Sequence, residues 1–512
     1  MNIKGTPRFE PPKPKPPVQP ENKDFTYNPQ DPVVMNDGSV TIEDVVSKDG
    51  KPQTDEVKLA NKKAVFDAFG RLRDIKDDPN FKLEPKADGS YNYGMSHEKH
   101  TAANVFGGVA KTAAKYNEVY SELTGKTIDW SFGEDQLGVS PETGEWPNAF
   151  YARQLGGVHF FDYKDTSTGN SGEVASHETG HAILDAIRPN YMSRVGGPET
   201  GAFHEAFGDV LAFLMTLDDD AAVEKLAQDT GGDLKSHRNF LSDMGEDFGR
   251  ALGRGNGGIR NSFNEFTYKD PATLPERGDE DHLGSEVHDF SRLWSGAFYD
   301  VLDGIADDNM ANGMSAKDAL KAAGAEGFRL LVAQMENAPT GSSATFKQMA
   351  AALMDGDKQF NAGKRQQMIG DIMVKRELLT PEQVGGLFKS DGPTFTGETI
   401  EKEITLGNDF GQLAGVKVDA VLDKPSFSMF SLEQESATAE IEKGVRMMME
   451  DNQILFSEDG APDIADLFKP NGEAYTAYVA TNEAGERELH RVPMAVCDFG
   501  HDHDHDHHGH SH

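Results

Sequence analysis

The string S-H-E-T-G-H at 176–181 sets two histidines four residues apart, with a glutamate directly after the first. On a helix that spacing brings His177 and His181 onto one face. Two neutral imidazoles on one face can each offer a nitrogen to Zn²⁺ at roughly 2.0–2.1 Å. Glu178 is placed to reach a metal-bound water as a base rather than to ligate. The implied chemistry is metal-assisted hydrolysis. The bland alternative is coincidence, two surface histidines flanking a glutamate. A catalytic zinc separates the two, because it needs a third protein ligand and a position left open for water.

The segment GAFHEAFGDVLAFLMTL, 201–217, can supply that ligand. Apolar residues surround almost the whole helix it would form, so the helix is expected to be deeply buried. Glu205 and Asp209 nevertheless lie within it, four apart on one face. Isolated buried carboxylates are very costly and are tolerated when paired or bound to metal. Glu205 as ligand, with Asp209 hydrogen-bonding a zinc-bound imidazole, would remove that cost. His204 is the rival ligand, pointing about 100° away from Glu205 around the helix. Glu205 is preferred because it also accounts for Asp209.

These residues need elements to hold them. Val174, Ile183, Leu184 and Ile187 give the first motif an apolar face, and Pro189 ends its helix. Helical periods recur at 101–123, 173–187, 202–217, 287–303, 316–336 and 344–355, and KLANKKAVFDAFGRLRDI at 58–75 also reads as one amphipathic helix. GGVHFFDY at 156–163 reads as strand. After about 376, TIEKEITL, KVDAVL and AYTAYVAT alternate in the strand manner. The expected organisation is a Pro/Lys-rich disordered arm at 1–24, a mixed lobe with the metal helix at 25–188 and a helical lobe at 189–375. A smaller mixed domain follows at 376–495, then a His/Asp-rich tail at 496–512.

With 512 residues and a formal net charge of −36, the chain is expected to be soluble and acidic. That charge disfavours nucleic acid and anionic membranes as partners. A single cysteine, Cys497, excludes an intramolecular disulfide. No run of about 18 apolar residues predicts a membrane-spanning helix. The N-terminus carries no apolar signal core, so the chain reads as cytoplasmic, exported by a signal-less route, or already trimmed.

The motifs together resemble the thermolysin-like metallopeptidases, the glutamate-ligand branch of the zincins. N-A-F-Y at 148–151 is similar to that family's substrate-gripping segment, and G-A-F-H-E-A-F-G-D at 201–209 to its ligand segment. G-I-R-N at 258–261, followed by D-P at 270–271, looks like the arginine segment beside the S1′ pocket. E-V-H-D-F-S at 286–291 resembles the catalytic-histidine segment. All lie in family order over roughly 100–375. The resemblance implies an α+β fold with two lobes and an active site in the cleft between them. It implies one catalytic zinc on His177, His181 and Glu205, with Glu178 as base and His288 stabilising the oxyanion. Tyr191 stands close to the family's oxyanion tyrosine, off by one in spacing. Asn148 and Ala149 would bind substrate backbone, Arg260 would orient it, and Val174 and Ile259 would line the pocket. The implied reaction is hydrolysis of internal peptide bonds, with a hydrophobic residue preferred after the cut.

The chain also departs from that pattern. Only about a hundred residues precede the match, where the family carries a signal and a long pro-segment. The acid behind the catalytic histidine is not at its usual spacing, and Asp281 is the substitute. Glu173 matches one calcium ligand and Asp218 offers an acid nearby; a helix-start glutamate reads Glu173 equally well. HDHDHDHHGHSH at the end can take up Zn²⁺, Ni²⁺ or Cu²⁺, or serve as a solubilising tail. Two rivals remain. A related aminopeptidase would need G-x-M-E-N before the metal motif, and the nearest string, MMMEDN at 447–452, lies far downstream. A non-catalytic metal-binding protein would have no use for Glu178 and His288.

Overall fold

A computed structural model describes residues 19–36, 38–254, 257–390, 392–424, 434–457, 460–469 and 472–497. The fold is α+β. Eight strands form the first sheet, in the order 21–26, 39–48, 51–53, 57–59, 137–140, 157–160, 149–152 and 494–496. The pairings 57–59 with 137–140 and 137–140 with 157–160 are parallel, and the rest are antiparallel. The helix His100–Thr124 packs on this sheet through Ala103, Phe106, Val109 and Tyr116.

Behind it stands a helical layer whose apolar faces join the same core. Its main members are Gly172–Ile187, Pro198–Asp218, Val287–Ala311, Ala316–Asn337 and Phe346–Phe360. Among the described residues no helix is long and apolar enough to cross a membrane. A second sheet of five strands, ordered 399–405, 417–423, 487–491, 477–481 and 454–456, has its own core with Ile441 and Val445 of the helix Gln434–Glu450.

Three expectations change. The stretch 58–75 is not a helix. It completes the strand Val57–Leu59 and then forms a hairpin, Lys62–Phe66 with Leu72–Asp77. Turn chemistry overrides the helical period there: Asp67 accepts the backbone N–H of Phe69 and Arg71, and Gly70 takes φ +74°. The arm drawn as disordered to 24 is already a strand from Glu21 to Thr26, anchored by Phe25 stacked on Tyr91 at 4.4 Å. Its residues 1–18 lie outside the described residues.

The third change concerns 376–495. Pro381–Lys389 packs into the helical core through Val384 and Leu387. At the other end, Met494–Val496 leaves the second unit and joins the first sheet. The His/Asp tail beyond 497 lies outside the described residues.

Two glycines let the helices that carry the motifs cross closely. A Cβ on Gly180 would stand 3.0 Å from Gly208 Cα, and one on Gly208 would stand 2.6 Å from His177 Nδ1. On an open helix Gly→Ala adds about 1 kcal/mol of stability. Here the new methyl would strike the His177 ring. If His177 holds a metal ion, Gly208→Ala is expected to weaken metal binding about tenfold or more, the usual cost of disturbing a ligand's support. A chelator-competition titration measures it, and unchanged affinity would refute the crossing as the determinant of His177's position.

Candidate metal centre and cleft

Ser171 opens the helix that carries H-E-x-x-H, its hydroxyl accepting Val174 N–H at 3.3 Å, and the helix ends where Pro189 follows Arg188. Asp185, one turn beyond His181, ties this helix to the strand Ala149–Ala152. Its carboxylate accepts Tyr151 Oη at 2.8 Å and pairs with Arg153. The metal motif and the strand carrying N-A-F-Y are thus fixed to each other.

His177, His181 and Glu205 converge, all fully or almost fully buried. His177 Nε2 lies 3.0 Å from His181 Nε2 and 3.3 Å from Glu205 Oε2, and His181 Nε2 lies 3.5 Å from Glu205 Oε1. Tetrahedral ligands at about 2.0–2.1 Å from zinc stand roughly 3.4 Å apart, close to each of these separations. Burial drives His181 well below its usual pKa, which keeps the imidazole neutral. Burial opposes ionisation of Glu205 too, but the charge of His288 and the hydrogen bond and charge of His177 outweigh it and hold the carboxyl well below its usual range. Neutral imidazoles and an ionised carboxylate are the forms that bind a divalent metal.

Each donor has a support. Asp209 Oδ1 lies 3.0 Å from His177 Nδ1 and accepts Arg260 Nη2 at 2.8 Å. Arg260 is therefore committed to Asp209 inside the protein rather than presented to the cleft. Burial works against charge on His177, but Asp209 and Glu205 raise it to about 8 without a metal. His204 stands behind His181, Nδ1 to Nδ1 at 2.9 Å, on the side away from Glu205. The rival ligand is thus a neighbour of a ligand.

Glu178 is completely buried, and burial pushes its carboxyl up to about 7, a value suited to moving a proton near neutrality. His288 is held by a residue the motifs did not single out. Glu286 Oε1 lies 2.7 Å from His288 Nδ1, while its other oxygen caps the helix through the N–H of His288 and Asp289. The available signal was an acidic residue at the helix N-cap, two before the histidine. Burial opposes the charge of His288, and Glu205 and Glu286 raise it to about 10. The proposed support, Asp281, is exposed and lies elsewhere.

Other expected residues separate. Tyr191 lines the cleft, but its hydroxyl donates to Pro339 O at 2.6 Å. Asn148 lines the cleft with its Oδ1 buried and without a partner among the described residues. Val174 and Ile259 are not among the lining residues. The second unit adds Gln453, Tyr475 and Arg491 to the cleft wall. Asp218 faces Lys111 and Lys115 at 3.5 and 3.6 Å, whereas Glu173 groups with Asp31 and Glu246, so the calcium pair is not brought together.

No family model matches this chain, and no curated protein matches it. Among solved structures it is similar to the precursor of protealysin, a metalloproteinase from Serratia proteamaculans. The identity is 14%, the overlap covers 63% of this chain and 88% of that one, and the TM-score is 0.34.

The group Asp31, Glu173 and Glu246 sets a pH dependence. Burial raises all three carboxyls; Glu173 is raised further by the charges of Glu246 and Asp31, and Glu246 reaches about 9 through burial and Asp31. Asp243 and Asp247 add like charge nearby. The unfolded chain sheds these protons near about 4, whereas the folded chain keeps them. Stability is therefore full at low pH and lost as pH rises toward 9. In chelator, Tm is expected to fall across that window, and Glu246→Gln to flatten the fall. An equally steep fall in the variant would rule out this cluster as the source.

Proposed function

We propose that this chain is a zinc-dependent endopeptidase, hydrolysing internal peptide bonds of peptide or protein substrates. The observation that carries the proposal is the buried triangle of His177, His181 and Glu205, with Glu178 beside His177 and with Glu205 and His288 lining the cleft. Zinc held by the triangle would supply Lewis-acid chemistry, polarising the scissile carbonyl and acidifying water.

The chain's own residues do the rest. A substrate lies as an added strand along Ala149–Ala152, its backbone gripped at Asn148 and Ala149. Glu178 takes the proton of the attacking water and later gives it to the leaving amine. His288, oriented by Glu286, donates Nε2–H toward the developing oxyanion, a contact worth several kcal/mol in the transition state. Arg260 acts through Asp209 on the orientation of His177. Tyr191 takes no part, since its hydroxyl is engaged by Pro339. The preference for a hydrophobic residue after the cut follows from the family resemblance. An acidic chain fits neither nucleic acid nor an anionic membrane as partner.

Protein stripped with chelator and reloaded with one zinc is expected to cleave an internally quenched peptide. Glu178→Gln is expected to bind zinc equally and to cleave about 10²–10⁴ times more slowly. A variant that cleaves like the parent would end the proposal.

A further inference from the structure

Without Met494–Val496, the strand Ala149–Ala152 would be the edge of the first sheet. Met494, Ala495 and Val496 pair antiparallel with Ala152, Tyr151 and Phe150. The ladder closes at both ends, with Arg153 N–H donating to Pro493 O at 3.0 Å and Cys497 N–H donating to Ala149 O at 3.0 Å. This is the edge on which a substrate would lie.

The strand also meets the chemical groups in order. Val496 O sits 3.1 Å from His288 Nε2, as a substrate carbonyl would. One residue on, the Cys497 thiol donates to Glu178 Oε1 at 2.8 Å. Its sulfur, a His177 nitrogen and a Glu178 oxygen all lie within 4.8 Å of one another. Cys497 is 2% exposed. Glu178 Oε2 and Asn148 Oδ1 are buried beside it without a hydrogen-bond partner among the described residues. Sulfur is among the donors zinc prefers, and the His/His/Glu triangle leaves a fourth position.

We propose that residues 494–497 act as a built-in occupant of the substrate cleft, with the Cys497 sulfur as fourth donor to the metal held by His177, His181 and Glu205. The chain is then latent while the strand is seated. The strand takes the substrate's backbone pairing, Val496 O takes His288, and Cys497 takes both the open metal position and the base. No redox partner is required. On binding metal the thiol passes its proton to Glu178 Oε1, its hydrogen-bond acceptor, and the sulfur lone pair forms the new bond. Leaving the cleft requires only that the strand be exchanged for substrate or lifted from the edge.

The inference rests on the zinc-site proposal and is tested separately from it. Full-length protein loaded with one zinc is expected to show one sulfur at about 2.3 Å among nitrogen and oxygen ligands in X-ray absorption. The cobalt-loaded protein is expected to show a thiolate-to-cobalt charge-transfer band. Both signals should vanish in Cys497→Ser and Cys497→Ala while one metal per chain is retained. The same variants should cleave a quenched peptide about tenfold or more faster, because the competent fraction rises. Stoichiometric metal with only nitrogen and oxygen ligands in the parent would overturn the fourth-donor assignment. Unchanged cleavage in both variants would overturn latency. Absence of stoichiometric metal in the parent would instead strike the underlying zinc site.

Discussion

The cleft depends on how one buried carboxylate, Glu205, is kept ionised. It lies on a helix that is apolar nearly all round, where an unpaired charge would cost several kcal/mol or would simply protonate. Three imidazoles prevent that. His177 and His181 stand on one side, and His288 Nε2 lies 3.2 Å away on the other. The site is therefore organised electrostatically before any metal enters. A divalent cation would replace imidazolium charge as the partner of Glu205, and His177 would join His181 as a neutral donor. The close helix crossing at Gly180 and Gly208 follows from this need, since larger residues there would hold the histidines away from the carboxylate.

The supports are arranged by the same rule. Asp209 is buried because Arg260 and His177 share it, and Arg260 is buried because Asp209 neutralises it. Glu286 earns its place twice, capping a helix and orienting His288. Each is a charge whose removal would leave another uncompensated, the situation in which a buried pair matters most. Specificity of geometry at the centre is thus tied to the integrity of the core around it.

This coupling also decides what could be read in the sequence. His177, His181, Glu205, Glu178 and Asp209 were legible because helical spacing is local and a carboxylate in an apolar helix demands a partner. The helices themselves were legible for the same reason. The hairpin at 62–77 was not, because Lys62–Phe66 and Leu72–Asp77 have apolar residues that also fit a helical period, and only the turn around Asp67 and Gly70 decides between them. Glu286 was passed over because its role as a cap hides its role toward His288. Arg260 and Tyr191 were placed by family order, yet their partners, Asp209 and Pro339, are set by tertiary packing. The pairing of 494–496 with 149–152 spans more than 300 residues and leaves no local trace.

That last pairing bears on how such a cleft can exist at all. A strand that binds substrate by backbone addition must present unpaired N–H and C=O groups, which is the condition proteins otherwise avoid at sheet edges. Ala149–Ala152 is buried along its whole length, so its exposed ladder could not be protected by charged side chains of its own. Covering it with a segment of the same chain satisfies those groups. Loop-closure entropy rises only slowly with length, so even a very long connection can deliver the segment. The second unit reduces the cost further, because Gln453, Tyr475 and Arg491 bring its wall to the cleft and Val492 N–H is held by Thr476 O at 2.9 Å. The five-stranded unit is thus positioned to present 494–497 to the edge, which connects it to the chemistry of the first sheet.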